Sequence, residues 1–169
     1  MENSAEIITA LSRIDNALNE AMNDGKLKSL ALFETNGACL ASLGSMEISS
    51  KEAHAVSRAF LNPISGLFQI RISSMNFVCL GLHLGILVGR SRFNMDTYFD
   101  VDKQSHEKKT ELVESENRHV SADQKLALFM AAILFNNYLL IGISLYESNT
   151  CLKELKRIQD IIASELVIE

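Results

Sequence analysis

Apolar residues recur at spacings of three and four through Ile7, Ile8, Leu11, Ile14, Leu18 and Met22, which predicts an amphipathic helix over 4–24. Asn3 with Glu6 has the form of a capping box, and Gly25 suits the C-terminal cap. In the next stretch, LKSLALFETNGACLAS, Asn36-Gly37 stands between two apolar runs. That pair predicts a hairpin over about 29–34 and 38–43, with both turn residues at positive φ. Ser49 and Glu52 form a second capping box and open a helix whose inner face is Ala53, Val56, Ala59 and Phe60; Asn62-Pro63 closes it.

LFQIRI at 67–72 alternates like a strand, and Ser73 to Asn76 turns the chain into NFVCLGLHLGILVGR, residues 76–90. The β-branched residues there, with glycines at 81 and 85, favour two short strands joined near His83-Leu84-Gly85. Near-continuous apolar strands occur where both faces of a sheet are covered. LALFMAAILF and YLLIGISLY, separated by Asn136-Asn137, predict another such hairpin. Residues 150–167 predict a last helix with Leu152, Leu155, Ile158, Ile162 and Leu166 on one stripe and Lys153, Lys156 and Arg157 opposite. The expected fold is α+β: a central antiparallel sheet, the terminal helices on one face and the middle helix on the other.

Residues 93–125 interrupt the pattern. They carry eight Asp or Glu against five Lys or Arg and no sustained apolar period, which predicts a long, flexible, solvated insertion. The rest of the 169 residues reads as one domain, 1–169. A net charge of −5 argues against a nucleic-acid binder that works by neutralising phosphates. No apolar run reaches the roughly 20 residues of a membrane span, and the N-terminus lacks the basic region of a signal peptide. Cys39, Cys79 and Cys151 read as reduced and buried in a cytoplasmic protein.

The chain holds no G-x-S-x-G, Walker A, G-x-G-x-x-G or H-E-x-x-H, so no catalysis, cofactor or metal is expected. His54 and His83 read as structural residues. His106 and His119 lie in the insertion, as do Ser105, Thr110, Ser115 and Ser121, which are candidate phosphorylation sites.

ISSKEAHAVSRAFLNP, SSMNFVCLGLHLGILVGRSR and NNYLLIGISLYESNTCLKELKRIQDII resemble, in order and spacing, the middle helix, central strands and final strand-helix unit of profilins. The resemblance extends over most of 4–92 and 126–165. It implies a monomeric protein of the cytoplasm and cytoskeleton that binds monomeric actin and regulates its polymerisation. It also implies proline-rich formin segments and phosphoinositides as ligands, and an actin-binding surface here containing Arg90, Lys153, Lys156 and Arg157. The sequence departs from the family pattern in its long insertion and in lacking the family's arginines at 81–85. The polyproline-groove aromatics are also replaced, near Ala5 and at Ile8, Leu40 and Ile161. A roadblock-like or longin-like scaffold for small GTPases shares the element order and is the alternative reading.

Overall fold

The computed structural model describes residues 2–62, 66–83, 85–91, 127–145 and 148–166. Among these residues three helices, α1 (Glu2–Asn23), α2 (Ser50–Leu61) and α3 (Ser148–Glu165), accompany seven strands. The strands are β1 (Ser29–Glu34), β2 (Cys39–Gly44), β3 (Phe68–Ile72), β4 (Met75–His83), β5 (Ile86–Ser91), β6 (Phe129–Phe135) and β7 (Tyr138–Ser144). They form one antiparallel sheet in the order β2-β1-β7-β6-β5-β4-β3, as the α+β reading expects.

Alternation sorts each strand's side chains between two cores. Beneath α2, Phe33, Ile72, Phe77, Met130 and Ile141 pack with Val56 and Phe60. On the other face, Leu30, Leu32, Ala131 and Leu140 meet Ile14 and Leu18 of α1 and Cys151, Leu155, Ile158 and Ile162 of α3. β6 and β7 are covered on both sides, which is why they read as unbroken apolar runs.

Ser49 and Glu52 make the expected capping box, and Glu52 does more. Its Oε2 accepts from Ser49 N at 2.8 Å, while its Oε1 accepts from Ser73 N at 2.7 Å and so ties α2 to the β3–β4 turn. That turn holds two residues at positive φ, Ser73 (48°) and Ser74 (68°), the signature of a type I′ hairpin. The first hairpin differs from expectation. Only Gly37 has positive φ, Glu34 N donates to Ala38 O at 2.9 Å, and Asn36 Oδ1 accepts from Ala38 N. It is a three-residue loop with glycine in the left-handed position.

Further corrections concern the edges of the fold. α1 begins at Glu2, so Asn3 lies inside the helix and does not cap it. Cys39 is exposed on β2, not buried. His54 is exposed on α2. Ile7, Ile8 and Leu11, expected on the inner stripe of α1, are exposed as well. The α1–α3 ion pairs Arg13–Glu165 (3.0 Å) and Glu20–Arg157 (3.5 Å) show that the helices run antiparallel. Residue 13 already faces the last turn of α3, so the first turns of α1 overhang its end.

Candidate binding surface

α1 lies over β1 and β2, and α3 over β6 and β7. Gly142 on β7 permits α3 to approach this closely: a Cβ there would fall 2.8 Å from Leu155 Cδ2. On that face of the sheet, β5, β4 and β3 extend beyond the helices. Cross-strand pairing lines up Gln69, Val78, Arg90 and Phe129 in one row across four strands. Val78 and Phe129 are half-buried, while Gln69 and Arg90 are exposed. The Arg90 guanidinium lies 5.7 Å from the centroid of the Phe129 ring, a cation–π contact that holds it flat over the sheet. Arg71, exposed on β3, adds a second cation to this open surface.

α3 borders the row. With about 3.6 residues per turn, Glu154, Arg157 and Glu165 fall on its α1 side and Leu152, Lys156 and Gln159 on its β5 side. Lys153 points outward from the helix top and, like Lys156, is exposed. Among the described residues no ion pair engages Arg71, Arg90, Lys153 or Lys156. The three helix cations were expected to stand free together. Two do. Arg157 instead donates to Glu154 Oε2 at 3.3 Å and to Glu20 at 3.5 Å, and its Nη2 is buried without a partner. Lys26 completes the network through Glu154 Oε1 at 3.0 Å, a hydrogen bond that pushes the Lys26 pKa up. Sequence reading missed this role because Glu20 and Lys26 reach the Glu154–Arg157 pair only through the fold.

The polyproline-groove positions do not converge. Ile8 is 67% exposed on the overhang, whereas Ile161 is half-buried and faces α1 about two turns further along. Leu40 is the extra residue of a β-bulge, since Leu32 faces Ala41 and Phe33 faces Cys39. Ser105, Thr110, Ser115 and Ser121 lie outside the described residues, as does the whole insertion 93–125. Among the described residues, no helix is long and apolar enough to cross a membrane, and no three His, Cys, Asp or Glu converge as a metal site.

No family model and no curated protein matches the sequence. Solved structures of profilins do match the fold. Acanthamoeba castellanii profilin IA superposes with a TM-score of 0.54 at 12% identity, over 85% of this chain and 90% of its own. Schizosaccharomyces pombe profilin gives 0.51 at 15% identity, over 91% and 93%. LokiProfilin1, solved in complex with rabbit actin, gives 0.55 at 8% identity, over 90% and 96%. The chain therefore has a divergent profilin-like fold.

Proposed function

We propose that this chain is an actin-monomer-binding protein that regulates polymerisation, and that it binds through the face centred on Arg90 and Phe129. The observation carrying the reading is that open row of the sheet. It pairs an apolar floor with unpaired cations, in a fold also found in LokiProfilin1 bound to rabbit actin. Val78, Val88 and Phe129 supply apolar area at its centre. Arg71, Arg90 and Lys156 supply rim charge, which acts mainly on association rate and specificity toward an acidic partner. Arg157 positions α3 against α1 and does not meet the partner.

Delivery of actin to proline-rich assembly factors is a weak activity in this reading, because no aromatic rings line the positions that would receive proline. Monomer sequestration tests the proposal. Adding the protein to polymerising actin should raise the unpolymerised fraction in proportion to its concentration, and increasingly so as salt is lowered. Arg90→Glu with Lys156→Glu should weaken binding about tenfold without changing the circular dichroism spectrum. Absence of any effect of the parent protein on actin would overturn the reading.

A further inference from the structure

The opposite edge of the open face carries a second arrangement of cations. Among the described residues β3 is an edge strand, paired only with β4. In a two-residue hairpin the pair flanking the turn, Ile72 and Met75, exchanges hydrogen bonds, and the pattern alternates from there. Gln69 and Arg71 accordingly direct their backbone N–H and C=O groups away from β4, toward open solvent. Alongside runs a groove of about 690 Å³ between β3 and α2. Lys51, Ala55, Arg58 and Asn62 are spaced to form one stripe of α2, and they line it. The alanine between the two cations leaves room for a chain to lie beside the strand.

Three further observations bear on the occupant. Lys51 and Arg58 are both exposed, and neither has an ion-pair partner among the described residues. The acid lining the groove, Glu52, turns both carboxylate oxygens to Ser49 and Ser73 and forms no ion pair with either cation. Those same bonds fasten α2 to the β3–β4 turn, which fixes the groove's width before anything binds. At one end, Leu61 and Leu67 are 70% and 64% exposed.

We infer that this groove is a second docking site, independent of the Arg90 face, where an extended acidic peptide segment adds to β3 as an eighth strand. Backbone groups of Gln69 and Arg71 supply the strand pairing that holds such a segment. The cations select for acid: Lys51 and Arg58 are about 10 Å apart along the helix axis, and an extended chain rises about 3.3 Å per residue. Carboxylates two or four residues apart on one face of the peptide straddle that separation. The other edge strand, β2, offers no equivalent, because its bulge at Leu40 breaks the regular template.

The test uses the full chain and a fluorescein-labelled octapeptide of alternating Val and Glu, followed by anisotropy. Saturable binding is expected that weakens with salt and drops about tenfold in the Lys51→Glu, Arg58→Glu double variant. Both positions are exposed, so the circular dichroism spectrum should not change. N-methylation of alternate peptide amides should abolish binding, because it removes the donors that pair with β3. The inference is overturned if the peptide does not bind, or if a Val-Lys peptide binds equally well. It is also overturned if N-methylation has no effect, since plain charge attraction would then suffice. A dimer in sedimentation velocity that the double variant dissolves would assign the edge to a second copy of the chain and overturn it too.

Discussion

Gly142 lies directly beneath Leu155, with room for no side chain: a Cβ at 142 would stand 2.8 Å from Leu155 Cδ2 and 3.2 Å from Cys151 Sγ. The contact sets the distance between α3 and the sheet. Gly142→Val should therefore push the helix outward and destabilise the protein by about 1–3 kcal/mol, the usual range for overpacking. Urea unfolding would measure it, and the Glu20–Arg157 and Arg13–Glu165 pairs should loosen with it. An unchanged midpoint would mean that α3 yields without cost.

Burial pushes the Cys79 thiol up to about 11 and the Cys151 thiol up to about 12, from an ordinary value of 9.0. The folded state thus holds protons that the unfolded chain releases first. Stability should be full below pH 9 and fall as pH rises toward those values. Lys26, raised by its bond to Glu154, acts in the same direction near and above its ordinary 10.5. The urea midpoint should be lower at pH 10.5 than at pH 8, with a shallower decline in the Cys79→Ala, Cys151→Ala variant. A thiol reagent at pH 8 should modify Cys39 alone until the protein is unfolded.

Much of this architecture is legible from local signals. The capping box at Ser49 and Glu52, the glycine at 37 and the unbroken apolar runs of β6 and β7 each declare their element within a few residues. The misread features depend on neighbours that lie far along the chain. Ile7, Ile8 and Leu11 keep a perfect helical spacing, but spacing does not say where the partner helix stops. Leu40 alternates correctly with its flanks, yet a bulge shifts it out of register. Arg157 matches Lys153 and Lys156 in type and position, and Glu154 one turn back, together with Glu20 on another helix, tells them apart.

Excision of 93–125 tests how self-sufficient the sheet is. Ser91 N donates to Leu128 O and Leu128 N donates to Ser91 Oγ, both at 2.8 Å, so the ends of β5 and β6 are already clasped. A short Gly-rich turn should join them with the fold retained. The shorter loop should raise stability by about 1–2 kcal/mol from reduced closure entropy. A fall in stability would show instead that the excised segment contributes packing to the domain.

Decaproline should bind weakly. Polyproline helices lie against flat aromatic faces, and the chain contains no tryptophan. Ile8 and Ile161 are separated along the helix pair, which leaves no continuous apolar cradle between them. Titration followed by heat or anisotropy should show little signal at concentrations that saturate an aromatic-lined groove. Tight saturation would mean that other rings, such as Tyr138 or Phe135, receive the peptide.

The place of β7 between β1 and β6 has a consequence for how the protein emerges from the ribosome. Ser144 Oγ donates to Lys26 O, a carbonyl 118 positions earlier, and β1 finds its inner neighbour only in β7. A nascent chain that ends before residue 138 can assemble β3, β4 and β5, but its first hairpin and first helix have only each other to pack against. Leu30, Leu32, Ile14 and Leu18 therefore stay incompletely covered, waiting for a strand and a helix that lie far along the chain. Such a chain is open to chaperones or to misassembly until those elements emerge, and its second core closes only then.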